Sequence, residues 1–170
     1  MEFTFDMNYN QKAMTVMARA IRKGLQEEQD KKSKIIGWVF VALTVLILLF
    51  SDSFGWMQIA ACVIIACFAA YLVWQDQVNG YFAMKKLPEK MRTGKWLFRE
   101  DGYFSDTEAG ESDYSYENIF MMVESQGYMI LVFHEGKAHV IDLSTIQGGT
   151  AADFRKLLRR QTNLTIQEVS

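Results

Sequence analysis

His134 and His139 are the residues of this chain that first suggest metal chemistry, and they flank Glu135-Gly136 in the stretch YMILVFHEGKAHVID. If Glu135-Gly136 is a two-residue hairpin loop, residue 134 faces 137, and 139 lies diagonally from 134 on one sheet face. Diagonal Cα positions are roughly 7–8 Å apart. That distance permits a shared ion only with favourable rotamers and further ligands. Glu135 falls in the turn and Asp142 points to the other face, so ordinary surface or half-buried histidines are the favoured reading. Cys62 and Cys67 add no ligand pair: five residues apart on a helix, they point about 140° away from each other. They read as small buried hydrophobes.

Other chemistry is equally thin. QGGT, residues 147–150, precedes a helix start where backbone N–H groups can hold an anion. A tight turn feeding an N-cap is favoured over that use. No GxxxxGK[ST], GxSxG or HExxH is present, and no Ser–His–acid set stands out by spacing. The expectation is a chain that is not an enzyme and needs no cofactor.

Charge says more. Arg155, Lys156, Arg159 and Arg160 cluster on one predicted helix, where they face solvent or contact lipid headgroups or an acidic partner. Glu100–Glu117 holds seven acidic residues and no Lys or Arg. Its middle, DTEAGESD, reads as a solvated loop that an anionic leaflet would repel. Net charge is −2, so no global basic field recruits nucleic acid.

The elements that must carry these residues divide the chain in three. Mean hydropathy is near zero, but charge is unevenly spread, since residues 35–75 contain only Asp52. Spans over 35–51 and 54–75 are predicted, because crossing needs roughly 17–25 apolar residues and neither run keeps a polar stripe. Trp38, Trp56, Tyr71 and Trp74 stand near the run ends, as interfacial rings do. Lys31, Lys32 and Lys34 precede the first run, and Lys85, Lys86, Lys90, Arg92 and Lys95 follow the second. Basic flanks are retained inside, so both termini are expected in the cytoplasm and Asp52 outside. Asp52 and Gln58 read as a turn residue and an interfacial residue, with no transport role.

Residues 1–33 read as a strand (Phe3, Phe5 and Met7 alternating with polar residues) and a helix capped by Asn8 or Asn10. Met14, Met17, Ile21 and Leu25 form that helix's apolar face. Packing on the C-terminal domain is preferred for it over lying on the inner leaflet. Residues 34–87 form the hairpin, with the second helix continuing as a stalk to Pro88; Gly80 weakens that continuation modestly. Residues 94–165 turn to strands: Trp96 and Phe98 are joined to Tyr103 and Phe104 across Glu100-Asp101-Gly102. Ile119, Met121 and Val123 then alternate, and the 128–142 hairpin follows. Thr150 and Asp153 make a capping-box-like start to a helix burying Phe154, Leu157 and Leu158.

The segments Trp96–Tyr103, Tyr114–Ile119, Tyr128–Asp142 and Gly149–Leu158, following a membrane hairpin, resemble the bacterial YcxB-like family. Tyr116 stands where the family motif often has Trp. The resemblance spans the chain and implies a C-terminal domain similar to pleckstrin-homology-type folds, but it implies no catalytic residue. The fold expected is an α+β membrane protein: a two-helix transmembrane hairpin plus a small antiparallel sheet domain capped by a C-terminal helix. The function expected is membrane-anchored binding or regulation at a bacterial inner membrane, through the lipid bilayer and a protein partner or self-association. A membrane-resident immunity protein against a toxin is the alternative, and a transporter or channel subunit a further one.

Overall fold

Phe3, Phe5 and Met7 turn inward from β1 (Phe3–Asn8), while the residues between them face outward, as the two-residue alternation predicts. The structure, a computed structural model, describes residues 2–25, 27–49, 55–134 and 137–169. β1 pairs antiparallel with β2 (Thr93–Phe98), setting Phe5 opposite Trp96. β3 (Tyr103–Thr107) and β4 (Gly110–Tyr114) complete a sheet in the order β1-β2-β3-β4. The second sheet holds β5 (Ile119–Ser125), β6 (Tyr128–Phe133), β7 (Ala138–Asp142) and β8 (Ile166–Glu168), in the order β7-β6-β5-β8. Among the described residues only the β5–β8 pairing is parallel. The sheet domain expected over 94–165 is therefore joined by β1 from the N-terminus and by β8 just beyond it.

Acidity misled the reading of DTEAGESD. The stretch is a β3–β4 hairpin turning at Glu108-Ala109, where the Thr107 hydroxyl accepts from Ala109 N–H at 3.3 Å. Asp106, Glu111 and Asp113 are exposed, whereas Tyr103 and Ser105 are buried on the other face. The charges occupy one side of a strand pair, and composition alone hid the alternation.

Among the described residues four α-helices complete an α+β fold. α1 (Gln11–Leu25) starts at Asn10, whose side-chain oxygen accepts from Ala13 N–H at 2.9 Å. It buries Ala13, Met14, Val16 and Ala20 between the sheet and a later helix, as the packing preference anticipated. α2 (Glu27–Leu49) carries the first apolar run. The turn after it, Asp52 included, lies outside the described residues. α3 (Trp56–Lys86) carries the second run and is kinked at Trp74, where φ −106° and ψ 16° leave the helical region. α2 and α3 run antiparallel: a Cβ on Gly37 would come within 3.1 Å of Leu72, and the rings of Phe40 and Phe68 lie 6.2 Å apart. Among the described residues one helix, Gln58–Lys86, is long and apolar enough to cross a membrane.

Cys62 and Cys67 are exposed on α3, contrary to the buried reading. No residue over 61–70 is buried, so around both cysteines the helix meets little of the described protein.

α4 (Ala151–Thr162) closes the sheets. The Thr150 hydroxyl accepts from Asp153 N–H at 3.2 Å and donates to the Asp153 carboxylate at 2.6 Å. Phe154 enters a cluster with Phe3, Phe5 and Phe98, at centroid distances of 5.6, 4.6 and 4.9 Å. Such edge-on pairs add about 0.5–1.5 kcal/mol to the burial itself. α4 thereby ties residues from both sides of the helical insertion into one core.

Candidate functional site

Four basic residues of α4 share one helix but do not form one open patch. Arg155 reaches β5 and donates to both Glu124 carboxylate oxygens, at 2.7 and 2.6 Å. That bidentate pair leaves most of its charge answered. Arg160 donates to Glu100 at 2.8 Å, and Lys156 lies 3.8 Å from Asp153. Arg159 alone of the four has no ion pair among the described residues. The helix can still present charge to a partner, but Arg155 is turned onto the sheet by Glu124.

A second polar group was not legible in advance. Asp76 is only 7% exposed although it directly follows the long apolar run of α3. Arg22 grips it with two 2.8 Å hydrogen bonds, from Nε and Nη2, and Arg19 adds a third at 3.3 Å. One turn further on, Gly80 meets Thr15: a Cβ there would lie 2.7 Å from the Thr15 backbone nitrogen. Gly80, read as a weak helix residue, is what lets α1 and α3 touch. The cluster of Arg19, Arg22 and Lys23 near α1 was visible, but its acceptor sits 54 residues from Arg22.

The third group centres on His139. β7 presents it beside Trp96, Tyr114 and Phe133, at ring-centroid distances of 4.6, 4.5 and 4.7 Å. The Tyr103 hydroxyl lies 3.0 Å from its Nδ1. Burial, and then the Lys137 charge, push its pKa down to about 4, so the ring is neutral at pH 7. Burial also raises the Tyr103 pKa, keeping that hydroxyl protonated. The neutral ring and the protonated hydroxyl share that hydrogen bond.

The metal reading of the histidines fails on register. Val132 pairs with Ala138 and Leu131 with His139, one residue away from a two-residue Glu135-Gly136 loop. Those loop residues are themselves outside the described set. The shift sets His139 beside Phe133, while His134 is exposed and lies 5.2 Å from the Phe120 ring. Among the described residues no three His, Cys, Asp or Glu side chains group to hold a metal.

A cleft of about 360 Å³ opens beside His139. Met7 of β1, Met14 and Met17 of α1, and Leu87 and Met91 after α3 supply its apolar lining. Trp96, Ser105, Ser112, Tyr114 and Lys137 supply polar groups, and none of the lining residues is acidic. Trp96 is 1% exposed, and its indole N–H makes no hydrogen bond to any described group. These residues come from both ends of the helical insertion, which is why no local motif announced them.

The family model described as YcxB-like protein matches residues 98–158, from the end of β2 into α4. The resemblance read from the sequence thus holds over that stretch, which is less than half of the chain. No curated protein matches the chain.

Proposed function

We propose that this chain is a membrane-anchored, non-catalytic binding protein. In this reading the α2–α3 hairpin holds a pleckstrin-homology-like domain of two sheets and α4 at the cytoplasmic face of a bacterial inner membrane. The observation that carries it is the apolar helix Gln58–Lys86, whose most apolar window has no buried residue. Val63, Ile64 and Val73 are 58%, 66% and 61% exposed. Covering each such side chain is worth about 1.5–3 kcal/mol, and a bilayer supplies that cover along the whole helix.

The β1–β2 pairing supports two crossings. Asn8 lies opposite Thr93, so the chain leaves and re-enters the sheet at one place. One crossing would part these paired strands, whereas two return the chain to its start. The lysines before α2 and after α3 favour the cytoplasm for both ends.

The test is cysteine labelling of the full chain in intact bacteria, in a Cys62→Ala, Cys67→Ala background. The chain is expected in carbonate-washed membranes. Asp52→Cys should react with an impermeant maleimide from outside, and Lys95→Cys only after permeabilisation. A chain that washes off, or an Asp52→Cys thiol reached only from inside, overturns the reading.

A further inference from the structure

The inner face of the β1-β2-β3-β4 sheet is filled unevenly. One cross-strand row carries Phe3, Phe98, Tyr103 and Tyr114, four rings side by side. The next row runs Phe5, Trp96, Ser105 and Ser112, so two small hydroxyl residues follow the indole. Beyond them the Thr107–Gly110 pair ends the β3–β4 hairpin. Rings fill the inner face at one end, whereas serine and glycine leave it hollow at the other, where the cleft of about 360 Å³ opens. That volume falls in the range of small-molecule sites.

The hollow asks for an acceptor and for no charge. Trp96 is buried, and its indole N–H makes no hydrogen bond to any described group. A buried donor without a partner is costly, and a ligand acceptor relieves it. The Ser105 and Ser112 hydroxyls in the same row can donate or accept. No lining residue is acidic, the His139 ring is neutral, and Lys137 already has a partner within the protein. A ligand of either sign would therefore enter without an open opposite charge to meet it, and burying a lone charge is costly.

We propose that this cleft binds an uncharged apolar molecule bearing a carbonyl oxygen, with that oxygen on the Trp96 N–H and its chain along the methionines. A carbonyl offers two lone pairs and needs no acceptor in return. The indole takes one, and a serine hydroxyl of the same row can take the other. A plain hydrocarbon would cover the methionines but leave the indole donor unanswered. A polyol would set its hydroxyls against Met7, Met14, Met17 and Met91, where no side chain bonds them. Methionine is flexible and fits varied apolar shapes, so the oxygen rather than the chain sets the preference. Ketones and esters share this chemistry.

The four tryptophans provide the assay. The full chain in nanodiscs, labelled with ¹⁵N at tryptophan, gives indole signals for Trp38, Trp56, Trp74 and Trp96, the last identified by its loss in Trp96→Phe. The ketone 2-heptanone is expected to move the Trp96 indole proton downfield, saturably, while leaving the other three little changed. Heptane, the same chain without oxygen, should leave that proton in place. Heptanoate should bind at least about tenfold more weakly than the ketone, and Ser112→Phe, which fills the cleft, should abolish the ketone response. If Ser112→Phe does not fold, the three probes on the unaltered chain decide. Methyl hexanoate in parallel separates ester from ketone, and a response to either supports the site. Equal shifts at all four indoles, an unmoved Trp96 signal, a downfield shift with heptane, or heptanoate binding as tight as the ketone's overturns it. The inference rests on the binding-protein reading. Fractionation tests the anchor and the indole signal tests the cleft, so either can fail alone.

Discussion

α3 is one helix with two opposite halves. Before Trp74 it exposes Val63, Ile64 and Phe68 and keeps no charged residue; after it, Asp76 is buried and Gly80 is pressed against α1. The usual sorting of side chains is inverted in the first half and strained in the second. The difference lies in what each half packs against. Among the described residues the upper half meets α2, with Leu72 beside Gly37 and Phe68 beside Phe40. The lower half packs one face on α1, and its one acid is buried there because two arginines come with it. An exposed apolar side chain and a buried acid are thus two readings of a single boundary at the kink.

Exchanging the charge character of the halves tests that boundary, and the effects should cross over. Ile64→Lys should cost about 3 kcal/mol of membrane insertion, seen as a shift of the chain out of carbonate-washed membranes. Its sheet domain should melt unchanged. Asp76→Ala should do the reverse: membrane recovery stays, and the sheet domain with α1 loses about 2–3 kcal/mol. That is somewhat less than the roughly 3–5 of a fully buried pair, because Arg19 retains 28% exposure. Thermal unfolding in nanodiscs reads this loss. If both substitutions shift both measurements together, the halves are not separate.

Gly80→Val comes next, at about 1–3 kcal/mol for the overpacked α1–α3 contact, with faster amide exchange along α1 as its signature. The pH dependence is smaller. His139 titrates near 6.5 when unfolded and about 4 when folded, so the unfolded chain takes up the proton first as pH falls. Stability should therefore decline from about pH 6.5 toward pH 4 and level off below, and His139→Gln should flatten that slope. Smallest is Arg160→Ala, whose pair with Glu100 has both side chains about 60% exposed. It should change the melting free energy by less than about 0.5 kcal/mol, measured by denaturant titration.

How much of this could be read in advance depended on whether each signal was local. The α4 cap and its buried Phe154 were legible because Thr150, Asp153 and the apolar spacing lie within one turn or two. β1 was legible as a strand, since alternation needs only five residues, but its partner β2 was not, being more than 80 residues away. β4 was hidden by Glu111 and Asp113, whose charge suggested a loop although they occupy the outer face. The β6–β7 hairpin was placed, yet one residue of register changed which side of the sheet His139 joined. The Asp76 grip and the Trp96 cleft had no local signal at all. Their parts lie on β1, α1, α3, β2, β4 and β7, and only the closed fold assembles them.

One consequence follows from β1 standing before the helices and β2 after them. A ribosome releases the first strand long before its partner exists, so this strand must wait while some 85 residues are made. The sheet can zip shut only when the intervening helices have returned the chain to its point of departure. A molecule whose second helix failed to come back would leave Phe3, Phe5 and Met7 uncovered and the β2 edge bare. Such a molecule displays the exposed apolar strand that chaperones and proteases seize. Completion of the domain thereby registers, within the same chain, that α2 and α3 have folded back on each other.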